Sequence, residues 1–244
     1  MAALAGESMR ERLDLSEKGG PRGGQPQALD RRLFMQLLAF GDCRDTADLA
    51  RALEAGGFEA VLYKDLNDPY GVALLTWSEQ PDFFVTLLRP FLAEQPFNLL
   101  APKPEFTMIG RSYSIGHEPD LEGWLLHRPR RTVLNRNSPW AVWYPLRRKG
   151  EVSALPLEEQ GAILAEHGRI GHAFGEAGYA QDVRLACFGL DKHDHDFVIG
   201  LIGSELYPLS ACVQQMRRTR QTSQYIETMG PFFVGKAFWQ SPSE

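Results

Sequence analysis

One order of elements, strand, helix, strand, strand, helix, strand, runs through the chain twice, and this repetition restricts the possible folds more than any other feature of the sequence. In the first half, residues 32–40 (RLFMQLLAF) read as an apolar strand. Residues 45–55 (DTADLARALEA) have helical spacing with an acidic start and a Gly56-Gly57 stop. Residues 58–64 and 70–77 read as two strands joined by the turn-rich Asp65-Leu66-Asn67-Asp68-Pro69, followed by a helix at 81–94 and a strand at 106–115. The second half follows suit: a strand at 140–146 (WAVWYPL), a helix at 155–174, strands at 183–189 and 197–203, a helix at 209–225 and a strand at 232–238. The segment VALLTWSE near Val72 even resembles VIGLIGSE near Val198.

A βαββαβ order repeated in this way is the ferredoxin-like arrangement in duplicate, so the expected class is α+β, with two ferredoxin-like halves in one chain. The expected organisation is a disordered tail at 1–30, a first ferredoxin-like domain at 31–118, a connecting segment at 119–136 and a second domain at 137–244. The tail assignment rests on mixed charges with Gly19, Gly20, Pro21, Gly23, Gly24 and Pro26, with no apolar run long enough for a signal-peptide core. Those glycines precede no Gly-Lys-Ser/Thr, so they are not a phosphate loop.

A net charge of -5 with both signs interspersed argues against a nucleic-acid binder, and no stretch calls for a membrane span. Cys43, Cys187 and Cys212 lie far apart without CxxC spacing, as free thiols in a reducing compartment would. A cytoplasmic location is expected on these grounds. The His193-Asp194-His195-Asp196 run falls at a hairpin turn, where solvated turn residues are the more common outcome, and is assigned no site.

The helix at 155–174 carries the candidate chemistry. Leu157, Ile163, Leu164, His167 and Ile170 share a face at three-and-four spacing, so the imidazole points with the aliphatic side chains into a region expected to exclude water. Pro156, Glu158 and Glu159 suit the helix start. On pattern alone such a histidine is more often a packed residue than a metal ligand. Gly168 and Gly171 weaken the next turn or admit something flat.

Five segments, in order and near-constant spacing over about a hundred residues, carry a family resemblance: WYPLRRKG at 143–150, LPLEEQ at 155–160, EHGRIGHAF at 166–174, FGLD at 188–191, and MRRTRQTSQY with GPFFVG between 216 and 235. In these the chain resembles the chlorite dismutase-like haem proteins, and within them the coproheme decarboxylases.

The resemblance implies a dimeric α+β barrel, the two halves joining their sheets within one chain, with one iron porphyrin, coproheme or haem b, in the second half, and a homo-oligomer with the pentamer as the usual assembly. It implies His167 as iron ligand, with Gly168 and Gly171 letting the macrocycle lie close; His172 stands where the family usually has arginine. It implies Tyr144 as the reacting tyrosine in a hydrogen peroxide-dependent loss of carbon dioxide from two propionates, giving vinyl groups. Arg147 and Arg148, then Arg217, Thr222 and Ser223, and more loosely Arg130 or Arg131, match family positions that hold carboxylates. On the far side of the iron the family shows arginine or glutamine. Counting back from Gly189 gives Asp182, counting forward from His167 gives Ala180, and strand alternation adds Arg184 to the face of Asp182. A carboxylate there could act as general base on peroxide and would repel chlorite. The alternatives are a haem b enzyme of the same fold, peroxidase or chlorite dismutase, in which Arg184 serves above the iron, and a non-catalytic haem carrier or sensor.

Overall fold

The computed structural model describes residues 13–242. A hairpin, β1 (Glu17–Arg22) and β2 (Gln25–Leu29), opens the chain. The first repeat comprises β3 (Phe34–Gly41), α1 (Thr46–Gly56), β4 (Ala60–Asp65), β5 (Val72–Ser78), a π-helical turn at Phe84–Leu88 with the short α2 (Arg89–Leu92), the two-residue β6 (Ala101–Pro102) and β7 (Met108–Ser112). A second π-helical turn, Gly123–His127, runs into α3 (Arg128–Val133). The second repeat comprises β8 (Trp140–Arg148), the short α4 (Glu151–Ala154), α5 (Leu157–Glu176), β9 (Gln181–Ala186), β10 (Phe197–Gly203), α6 (Leu206–Met216), α7 (Arg220–Tyr225), β11 (Ile226–Met229) and β12 (Phe233–Gln240).

Both halves are ferredoxin-like. In the first the strand order is β7-β3-β5-β4, in the second β12-β8-β10-β9, so each unit lies in the order fourth, first, third, second. β9 pairs with β7 and β12 with β4, and because β8 holds both β10 and β12 the sheet closes into an antiparallel barrel. Alternation along each strand separates two environments. Met35, Leu37, Val61, Tyr63, Leu75, Ala141, Trp143, Val183, Leu185 and Phe233 fill the inside. The outer face of the first repeat packs on α1 through Leu49, Leu53, Leu62, Leu74, Phe84 and Phe97, an aromatic-rich layer. The corresponding face of the second repeat, with Val142, Tyr144, Leu146 and Leu201, holds the residues of interest.

The packing inside the barrel is tight where Gly200 of β10 lies opposite Trp143 of β8: a β-carbon there would come within 2.6 Å of the indole. Gly200→Ala therefore overpacks a buried position, and a loss of about 1–3 kcal/mol is expected in urea unfolding, with unchanged m-value.

Several expectations are corrected. The part of the proposed tail at 13–30 is ordered structure, whereas residues 1–12 lie outside the described region. Gly23 and Gly24 take positive φ (57° and 80°) at the tip of the β1-β2 hairpin, and Gln27 Nε2 donates to Glu118 O at 3.0 Å while Glu17 pairs with Arg111, docking the hairpin on a segment far along the chain. The connecting segment is helical, and its Leu121, Leu125, Leu126 and Val133 join the barrel core. The helix expected at 81–94 is reduced to a π turn and four α-helical residues, because Pro90 supplies no backbone donor. The helix at 209–225 is interrupted, with Thr219 capping a separate α7. Among the described residues no helix is long and apolar enough to cross a membrane.

Candidate functional site

β8, β10 and β9 present one row of side chains toward α5 and α6. Tyr144 lies opposite Ile199, which lies opposite Arg184; one step along, Val142, Leu201 and Asp182 align, and in the other direction Leu146, Phe197 and Ala186. Tyr144 and Arg184 are thus two strand spacings apart, about 10 Å. Arg148 continues the Val142, Tyr144, Leu146 face at the end of β8. Its backbone N–H donates to Asp196 Oδ2 at 2.7 Å, and its guanidinium carbon sits 4.5 Å from the centre of the Phe197 ring.

Tyr144 is 5% exposed and stacks on Phe232, ring centres 4.6 Å apart; Arg217 lies over the Phe232 ring at 5.8 Å. Burial pushes the phenol well above its ordinary pKa, with Cys212 and Asp182 acting in the same direction, so it stays protonated across the physiological range.

Asp182 and Arg184 form one unit with Arg128. Arg128 Nη2 donates to Asp182 Oδ1 at 2.6 Å, and Arg184 Nε lies 2.9 Å from Asp182 Oδ2. Both guanidiniums rest against the Trp124 indole, at 4.5 and 5.1 Å from its centre. Burial raises the Asp182 carboxyl, but Arg184 and Arg128 outweigh it and hold the pKa below the ordinary value. A carboxylate so stabilised is a poorer base than the sequence reading supposed. Tyr113, at the end of β7, is raised by burial and opposed by the charges of Arg184 and Arg148, which places a second phenol near the same cations.

Across from this row stands His167 on α5. Its Nδ1 is 3.3 Å from Thr219 Oγ1. Burial, then the charges of Arg148 and Arg184, push its pKa down to about 4, so the imidazole is neutral near pH 7. The folded value lies below the unfolded one, so the unfolded chain binds the extra proton between about pH 6.5 and 4. Apoprotein stability is therefore expected to fall on acidification through that window by about one proton's worth, about 1.4 kcal/mol per pH unit at most. His167→Gln flattens this slope in urea titrations at several pH values.

The structure separates the remaining candidates. Arg147 lies on the opposite face of β8 from Tyr144 and Arg148, paired with Asp194 at 2.8 Å and near Glu227 at 3.5 Å. Arg130 pairs with Glu59 at 2.7 Å and lines a cavity of about 660 Å³ with His127, Arg131 and Arg136. Arg128 turns to the Tyr144 side instead, because two residues on a helix point in nearly opposite directions. Thr222 N–H and Ser223 Oγ are engaged with Thr219. A β-carbon at Gly168 would meet nothing within 4 Å, and one at Gly171 would meet Met216 at 3.4 Å, so Gly171 serves the approach of α6. Ala180 is a buried apolar residue. His172 is exposed and pairs with Glu176 at 3.1 Å.

The expected dry face of α5 is also corrected. Ile163 is buried, but Leu157 is 85% and Leu164 45% exposed, because α5 meets the rest of the fold chiefly through α6, α7 and β9. Trp124, Arg128, Tyr113 and Thr219 were missed by the sequence reading. For the first two a signal existed: Trp124 and Arg128 stand four residues apart in a helical stretch.

An iron porphyrin with carboxylate substituents fits this donor set. Arg148 Nε is buried without a hydrogen-bond partner, which is costly unless an acceptor arrives. Phe197, Ile199 and Leu201 make the ground between the cations apolar, and the imidazole of His167, near enough to feel the charges of Arg148 and Arg184, is neutral.

Residues 123–238 match the sequence profile of the family described as Chlorite dismutase. Among solved structures, a heme-binding protein from Thermus thermophilus is similar with a TM-score of 0.66 at 20% identity, over 86% of this chain and 92% of that one. The chlorite dismutase from Candidatus Nitrospira defluvii in complex with imidazole gives a TM-score of 0.66 at 16% identity, with the same coverages. At such identities the likeness to these structures establishes a shared fold.

Proposed function

Residues 123–238 of this chain match the chlorite dismutase family, and on that premise we propose that the chain is a member which binds an iron porphyrin through His167 and converts coproheme to haem b by peroxide-dependent oxidative decarboxylation. The observation that carries the reading is the position of Tyr144, a buried phenol on one sheet face with Arg148 and Arg184, and bordered by Arg217 through Phe232. Propionate carboxylates need cations when water is excluded, and here the cations border a buried phenol suited to react with a propionate side chain.

When bound, the iron supplies the oxidation driven by hydrogen peroxide. The chain's own residues bind and orient. His167 offers a neutral imidazole. Arg148 and Arg217 hold carboxylates on either side of Tyr144. The Tyr144 phenol, kept protonated by burial, has an O–H bond to lose and regain as a propionate surrenders hydrogen. Per propionate, one peroxide and one proton are consumed, and one carbon dioxide and two waters are released as the vinyl group forms. Asp182, paired with two guanidiniums, fixes Arg184 and Arg128 rather than serving as a strong base. Assembly as a homopentamer belongs to the same reading and is measurable by sedimentation.

A second reading, a haem b peroxidase, is favoured by one feature: Arg184 with its Nε 2.9 Å from the Asp182 carboxylate, an acid and arginine pair that could act on peroxide. Mass spectrometry of the apoprotein mixed with ferric coproheme and titrated with peroxide separates the two. Stepwise loss of two carbon dioxide masses is expected; binding without mass loss, with turnover of reducing donors on haem b, supports the peroxidase instead.

A further inference from the structure

Thr219 joins α6 to α7 and is 2% exposed, although it belongs to neither helix. Its hydroxyl has four neighbours at hydrogen-bonding range. It lies 2.8 Å from Met216 O, 3.4 Å from Thr222 N, 3.3 Å from His167 Nδ1 and 3.5 Å from Thr222 Oγ1. A hydroxyl has one proton to donate and two lone pairs to offer. Met216 O is the closest acceptor and can only accept, so the proton goes there. The Thr222 N–H can only donate, and takes one lone pair as the cap of α7. The lone pair that is left faces His167 Nδ1. An unprotonated Nδ1 would set two lone pairs against each other, whereas Nδ1–H donates and satisfies every group. The imidazole is thereby held as the Nδ1–H tautomer, with Nε2 bare.

The acceptor behind the imidazole is neutral. The adjacent carboxylate, Glu166, is directed elsewhere: its Oε1 accepts from Arg220 N at 3.4 Å, and Glu159 accepts from Arg220 Nη2 at 2.9 Å. The start of α7 is thus clamped onto α5 at Glu159, Glu166 and His167, and the two carboxylates are spent on Arg220 while the hydroxyl of Thr219 alone meets the ring. A carboxylate behind an imidazole draws its proton and raises its basicity; a hydroxyl does so far less.

We propose that Thr219 is the positioning residue of the site, setting the tautomer and ring orientation of His167 and keeping it a neutral, weakly donating ligand. This rests on the reading of His167 as the iron ligand. The consequence is a softer push of electrons from the protein onto the iron than a carboxylate-backed histidine would give.

The test uses the full chain loaded with haem, in wild-type, Thr219→Ser, Thr219→Val, Thr219→Asp and His167→Ala forms. The readouts are the iron–imidazole stretch of the ferrous state by resonance Raman, the reduction midpoint and the porphyrin affinity. Thr219→Ser retains the wild-type band. Thr219→Asp, which still caps α7, moves the band to higher frequency and lowers the midpoint. Thr219→Val weakens porphyrin binding by about 10- to 100-fold, the usual cost of losing a ligand's hydrogen-bond partner. Should Thr219→Val fail to fold, Thr219→Asp still decides the matter: an unchanged band and midpoint overturn the proposal. A wild-type band that persists in His167→Ala, or no band in the wild type, overturns the His167 reading itself, and is distinguishable from a wild-type band that is lost in His167→Ala and indifferent to position 219.

Discussion

Tyr144→Phe is expected to bind ferric coproheme as the wild type does and to release almost no carbon dioxide when peroxide is added. The ring stays stacked on Phe232 and the Arg148 and Arg217 positions are unchanged, so affinity should hold within a factor of two or three and stability within about 1 kcal/mol. What disappears is the O–H bond. The rate of decarboxylation should fall on the order of 10³-fold, the scale of losing a positioned group that moves a proton in the reaction. Mass spectrometry of the porphyrin over a peroxide time course reads this directly. If Tyr144→Phe produced haem b at the wild-type rate, the tyrosine would be a packing residue and the reacting group would have to be sought elsewhere, with Tyr113 the next phenol near the same cations.

His167→Ala should produce the second large effect. Removing the imidazole leaves no other histidine on α5 able to replace it among the described residues, since His172 is exposed and turned to Glu176. Porphyrin affinity is expected to drop by more than the 10- to 100-fold that loss of a mere second-layer partner costs, and the iron–imidazole signature should vanish. The apoprotein should remain folded, because α5 keeps Ile163 buried and its contacts to α6 and β9. Titration of the variant with haem, followed by its absorption spectrum, checks both statements; affinity equal to wild type would contradict them.

These effects trace to residues whose positions differ in how readily they can be read from the chain. The duplicated order of strands and helices was legible because it depends on local pattern: alternation in VALLTW and VIGLIG, and the three-and-four spacing of α5. His167 could be placed on the inner side of its helix for the same reason. The distinction between Arg147 and Arg148 was missed because the strand was read as ending at residue 146. β8 in fact runs to Arg148, and period-2 alternation then sends Arg148 to the Tyr144 face and Arg147 to the opposite one. Arg130 and Arg131 stand near a family arginine only by a loose match, and a segment that looks like a connection gives no periodicity to point to Arg128; in the helix α3 the pitch separates Arg128 from Arg130.

Other features could not have been read locally. The β1-β2 hairpin looks like a linker in composition, and only its docking against Glu118, some ninety residues on, makes it structure. Thr219 and His167 are likewise 52 residues apart, joined by the break between α6 and α7. The exposure of Leu157 and Leu164 is a related case, for an amphipathic stripe records that a face is to be covered without saying what covers it.

The most direct measurement is a crystal structure of the full chain with ferric coproheme bound. The iron is expected within bonding distance of His167 Nε2, about 2.0–2.2 Å as for imidazole on a first-row metal, with His167 Nδ1 still facing Thr219 and propionates against Arg148 and Arg217. A porphyrin lodged away from α5, or iron held by any other side chain, would contradict the placement of the site between α5 and the Tyr144 face.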